Sequence, residues 1–266
     1  ASERATAAGW RVLAGACLDI GDGGLPLLPI AEILRSLAMT TPSSELDGLI
    51  GNSRAELARI SPELDPDAAS TAAAPASAGD QALQFERARQ LVARLAGAAP
   101  TLFVIEDVQW IDRATRDLVT FLGHILREER VEILLTCRSD GLPAGHAVLA
   151  WLAALGRATR ADRIDLGRLD RAAVARQLAA LAGSPVPTDV VDRVWRRSDG
   201  NPMFVEELFA GGIEAAGPGG GSGRPASIEP LLLARVEGVP ATTRQVLGAL
   251  AVAARPIEDE LLIAAL

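Results

Sequence analysis

Residues 102–107 read LFVIED, four apolar residues followed at once by two acids. Together with Thr101 this is the composition of a short strand covered on both faces. In open α/β sheets, ligands gather at the carboxyl ends of the strands. Glu106 and Asp107 are therefore candidate ligands for Mg²⁺, directly or through water, and candidates for orienting a water toward a γ-phosphate. Any buried strand that ends in an acidic turn would match the same pattern, so the flanking chain has to separate the two readings.

Working outward, Trp10 to Cys17 (WRVLAGAC) and Val131 to Cys137 (VEILLTC) read as two more strands, and Arg163 to Leu169 as a short fourth. Residues 1–8 look like the tail of a helix that Gly9 ends. Pro29 stands where a helix starts, ahead of Ile30, Ile33, Leu34 and Leu37. Asp80 is placed to cap a helix with Phe85, Ala88, Val92 and Leu95 on one face, and Asp112 to cap one with Ala114, Leu118, Phe121, Leu122 and Ile125. Strands alternating with such helices predict an α/β fold, a parallel sheet with helices on both sides. Residues 61–79 turn to Ala, Pro, Ser and Asp without periodicity, which reads as a surface insert. Past Asp170 the alternation stops, and helices are predicted at about 170–183, 187–197 and 202–210. The Gly-rich stretch 214–226 reads as a flexible linker.

Bulk composition narrows the function. All 26 basic residues are Arg, with no Lys anywhere, and the formal net charge is −8. That charge argues against this segment contacting nucleic acid by itself. No apolar run is long enough for a transmembrane helix, and no membrane contact is expected. Cys17 and Cys137 have no metal-ligand spacing and read as buried free thiols of a reducing cytoplasm. The opening ASERATAAGWR has neither an initiator Met nor a signal-peptide core, and the last residues stop in mid-pattern, so both ends read as cuts through a longer protein.

Two further stretches carry chemistry. LLTCRSD (134–140) sets Arg138 at a neighbouring strand end, within reach of a phosphate or paired with Asp140 on the surface. SDGNPMFVEEL (198–208) holds a Gly-Asn-Pro turn that opens a helix, which as a bare helix start needs no ligand. Taken in order, GWRVLAGAC, PLLPIAEILRSL, LFVIEDVQWID, LLTCRSD, SDGNPMFVEEL and VPATTRQVLGALAVAARP resemble the ATPase module of large ATP-binding LuxR-type regulators, a branch of the STAND group within the AAA-like P-loop ATPases.

The resemblance implies ATP or ADP with Mg²⁺ as cofactors. It matches Glu106 and Asp107 to the Walker B acids, without deciding which binds the metal and which positions water. Arg138 matches the sensor-1 arginine, and Gly200, Asn201 and Pro202 match the turn that packs near the adenine. Trp110 and Asp112 match the Trp-x-Asp step, where packing and helix capping are the plainer roles. The implied domains are a P-loop NTPase-like core over 1–169, a helical lid over 170–213, the linker over 214–226 and the start of a winged-helix-like domain over 227–266. The implied partners are ATP and self-association or the protein's own sensor and output domains, with DNA reached through a C-terminal helix-turn-helix outside this segment.

One element is missing. A phosphate loop, G-x-x-x-x-G-K-[ST], needs glycine amides around the phosphates and a Lys on the β/γ oxygens, and this sequence contains no Lys. It is expected upstream of Ala1, and without it the segment is expected to bind ATP poorly, to be inactive in turnover and to be poorly stable. The implied function is an ATP-driven signalling switch of a transcriptional regulator. The alternatives are the same module regulating a nucleotide cyclase or kinase, or a degenerate scaffold that binds no nucleotide.

Overall fold

The computed structural model describes residues 2–19, 25–65, 78–126, 130–138, 142–143, 145–159, 161–211 and 239–253. These fall into two units, Ala1–Arg163 and Ile164–Leu266.

In the first unit, helix α1 (Ser2–Ala7) ends at Gly9, whose φ of 79° suits a residue without Cβ. Strand β1 (Arg11–Ala16) follows. Helix α2 (Leu28–Thr40) carries Pro29 in its first turn and buries Ile33, Leu34 and Leu37. Two short helices, α3 (Ser43–Ile50) and α4 (Arg54–Ala58), add Leu46, Leu49, Ile50 and Leu57 to the same core. The long helix α5 (Ala78–Ala98) leads into β2 (Thr101–Glu106). It begins at Ala78, two residues ahead of the start that Asp80 suggested. Helix α6 (Arg113–Ile125), β3 (Val131–Leu135) and helix α7 (Ala147–Ala158) complete the unit.

The sheet is parallel in the order β1-β2-β3, with Phe103 of β2 opposite Leu13 of β1 and Ile133 of β3. Thr101 to Ile105 are all buried and Glu106 is exposed, as LFVIED predicts for a central strand with an acidic end. Apolar side chains of α2, α5 and α6 pack around Leu13 and Phe103, while Ile105, Val108, Val119, Val148 and Leu155 form a second cluster with Cys17.

Helix α2 lies very close to β1. A Cβ on Gly15 would stand 2.1 Å from the carbonyl oxygen of Pro29, far inside contact distance. One turn on, the Glu32 carboxylate accepts the N–H of Ala16 at 2.8 Å, so the helix satisfies this backbone donor at the end of β1.

The second unit holds helices α8 (Arg171–Ala182), α9 (Thr188–Ser198) and α10 (Pro202–Ala210), close to the three predicted. Val174, Leu178, Val190, Val191, Val194, Val205 and Leu208 form its core. Helix α11 (Ala241–Ala253) is the described part of the region expected to begin a winged-helix-like domain. The predicted linker, 214–226, lies outside the described residues, as does most of the insert, residues 66–77.

The fourth strand is not formed: among the described residues, 161–169 carry no strand. Ile164 and Leu166 alternate as strand residues do, yet they are 78% and 92% exposed. Alternation gives a strand only where a neighbour pairs the backbone and covers the apolar face, and here no such pairing is described. Among the described residues no helix is long and apolar enough to cross a membrane.

Candidate functional site

Glu106 closes β2, and the next residue, Asp107, turns the chain with φ 56° and ψ 45°. Asp and Asn tolerate this left-handed conformation better than other side-chain-bearing residues. A single 3₁₀ turn, Val108–Trp110, follows. The turn is tied to the end of β3 through Thr136: its hydroxyl accepts the Asp107 N–H at 3.1 Å and its carbonyl the Val108 N–H at 2.9 Å. Because β2 and β3 are parallel neighbours, this brings Arg138 beside Asp107.

The Arg138 Nε donates to Asp107 Oδ1 at 3.3 Å, and the guanidinium lies over the Trp110 ring, 5.1 Å from its centroid. The same Oδ1 accepts the Gln109 side-chain amide at 2.8 Å. Arg138 and Asp107 side chains are 63% and 35% exposed. An ion pair so wet contributes about 0–1 kcal/mol and the exposed ring contact about 0.5–1 kcal/mol. A bidentate phosphate is a stronger partner for a guanidinium than either, so Arg138 is held loosely enough to be drawn away by one. Sequence reasoning picked out Glu106, Asp107 and Arg138, and the structure brings all three to one end of the sheet. It missed Gln109 and Thr136, whose contacts to 138 and 107 span 29 residues and leave no local signal.

Asp112 does what its position suggested. Its Oδ1 accepts the Thr115 N–H at 2.9 Å as the cap of α6, and its Oδ2 accepts the Thr115 hydroxyl and, at 3.3 Å, the backbone N–H of Leu27. Leu27 has φ 60°, a conformation that costs a non-glycine residue about 1–2 kcal/mol, and the Asp112 contact helps hold it.

Cys17, at the end of β1, feels the same carboxylates. Burial, then the negative charges of Asp112, Asp107 and Glu32, push its thiol up from 9.0 to about 12. Burial also raises Cys137, though that residue is only half-buried, beyond the end of β3. A raised thiol pKa means the fold retains the proton. The stabilisation is present below about pH 9 and is lost as pH climbs toward 12. At pH 8, Cys137 is expected to react first with a disulfide reagent and Cys17 only as the protein unfolds. Equal rates for both thiols in the folded protein would contradict this placement.

The second unit is described by itself. Gly200 has φ 68°, and its carbonyl accepts the Leu169 N–H at 2.8 Å. Asn201 caps α10 by accepting the Met203 N–H at 3.0 Å, and Pro202 occupies the first helical position. Each of the three thus has a structural task within its own unit.

Among the described residues no cluster of three or more His, Cys, Asp or Glu could hold a metal unaided. Two acids at a strand end still suit Mg²⁺, which keeps several waters and shares phosphate oxygens. With no Lys in its 266 residues, the chain lacks a G-x-x-x-x-G-K-[ST] loop. The residues present therefore fit the metal and γ-phosphate end of MgATP, and not the loop that cradles the rest. A family model described as the AAA ATPase domain matches residues 1–136, spanning α1 through β3 and both acids. No curated protein and no solved structure matches the chain.

Proposed function

Since this chain belongs to the AAA ATPase domain family, we propose that it is the ATP-binding switch module of a STAND-type transcriptional regulator. Asp107 and Glu106 serve Mg²⁺ and the attacking water, and Arg138 senses the γ-phosphate. The observation that carries this reading is the Asp107–Arg138–Trp110 arrangement at the carboxyl end of β2 and β3. An acid for the metal or the attacking water and a loosely held cation for the phosphate stand together where parallel sheets bind nucleotides.

The Gly200-Asn201-Pro202 turn is assigned to the adenine, and the helices of the second unit to a lid. Helix α11 (Ala241–Ala253) is assigned to the start of a winged-helix-like part. The partners are ATP and either further copies of the protein or its own sensor and output domains. DNA is reached only through a separate helix-turn-helix, in keeping with the net charge of −8. Hydrolysis is slow and requires a phosphate loop supplied outside this sequence.

A second reading is favoured by one specific observation. With no Lys for the β/γ oxygens, the same fold could serve as a scaffold that binds no nucleotide. Titrating ATP into the full-length protein separates the two. The switch reading expects saturable binding that weakens about tenfold or more, some 1.4 kcal/mol, when EDTA removes Mg²⁺. Absence of binding in both conditions would overturn it and leave the scaffold.

A further inference from the structure

We infer that Gln109 is a positioning residue for the Asp107 carboxylate and the link through which Arg138 and Asp107 are set as one unit. This rests on the ATPase reading above. Gln109 is 9% exposed although it sits in a surface turn between exposed Glu106 and exposed Trp110. A buried amide must spend its polar atoms on partners, and here both ends are spent at the site. Its Nε2 donates to Asp107 Oδ1 at 2.8 Å, and its Oε1 accepts the backbone N–H of Arg138 at 3.0 Å.

The amide therefore spans the ends of two neighbouring strands. One end fixes the acid and the other fixes the backbone from which the arginine extends. Both bonds engage Oδ1 or the main chain. Among the described residues, Asp107 Oδ2 has no hydrogen-bond partner and stays available to a metal-bound or attacking water. A carboxylate on a turn would otherwise rotate about its χ angles. The Gln109 bond selects one orientation and continues to do so when Arg138 swings to a phosphate, because the Arg138 backbone bond does not depend on where the guanidinium points.

The test uses the full-length protein, steady-state ATP hydrolysis and a thermal melt. Gln109→Met keeps the side-chain length and removes both bonds. Gln109→Glu keeps the acceptor for the Arg138 N–H and puts a like charge against Asp107. Misplacement of a reacting group by about 1 Å costs on the order of a hundredfold in rate. Accordingly, kcat is expected to fall about ten- to a hundredfold in Gln109→Met and further in Gln109→Glu, with KM for ATP within about threefold of the parent. The deciding measurement is Gln109→Met in the Asp107→Asn background. A residue acting through the Asp107 charge loses less there than in the parent, what remains being its hold on the Arg138 backbone, whereas a residue that merely holds the fold lowers both backgrounds equally.

Equal losses in the two backgrounds, or a loss of kcat that tracks the melting temperature, overturn the assignment. Hydrolysis unchanged in Gln109→Met also overturns it while leaving the ATPase reading intact. A parent that does not hydrolyse ATP overturns that reading first, and this one with it.

Discussion

Asp107→Asn is expected to lower ATP hydrolysis by the full-length protein about 10²- to 10⁴-fold, far more than it weakens ATP binding. The geometry explains why the loss should be so selective. Asn keeps an oxygen at the Oδ1 position, so the Gln109 amide and Arg138 Nε retain their acceptor. Asn also tolerates the left-handed backbone at φ 56°. Nothing in the fold is asked to move, and the side chain is exposed enough that losing its ion pair costs little. What disappears is the negative charge that Mg²⁺ or the attacking water requires. Hydrolysis equal to the parent would remove Asp107 from the chemistry and leave Glu106 as the acid that matters.

The second large effect is on stability. Gly200→Ala is expected to destabilise the second unit by about 2–5 kcal/mol. About 1–2 of that comes from forcing a Cβ into the left-handed region and about 1–3 from overpacking. The added Cβ would stand 2.3 Å from the Leu169 carbonyl oxygen and 3.0 Å from its nitrogen, backbone atoms that cannot rotate aside. Gly183 supplies the control. It ends α8 at the same φ of 68°, but an added Cβ there meets nothing within 4 Å. Gly183→Ala should cost only the conformational part, about 1–2 kcal/mol. Urea unfolding of both variants measures the difference. If the two lose equal stability, the close approach of Leu169 to Gly200 is not a feature of the folded protein.

How far the sequence could be read depends on whether a signal was local. LFVIED announced a buried central strand with acids at its end because burial on both faces and a strand-end site are both written in consecutive residues. Asp112 announced a cap because a cap is satisfied three residues away, at Thr115. The helices of the second unit were legible from apolar spacing. Helix α7 was not, because AVLAWLAAL is apolar nearly all round and lacks a polar face to set the period. The stretch from Arg163 to Leu169 misled for a different reason. Alternation records what a strand would present, while a strand also needs a backbone beside it. Gln109 was invisible because its value lies in spanning from the turn after β2 to the backbone after β3.

The Arg138–Trp110 contact also has an optical consequence. The protein has four tryptophans and no tyrosine, so its ultraviolet emission comes from indole. A guanidinium 5.1 Å from one of those rings imposes a local electric field on it. Whatever draws Arg138 aside changes that field, and the wavelength of Trp110 emission shifts with it. The site carries its own chromophore, and its occupancy can be followed without adding a label.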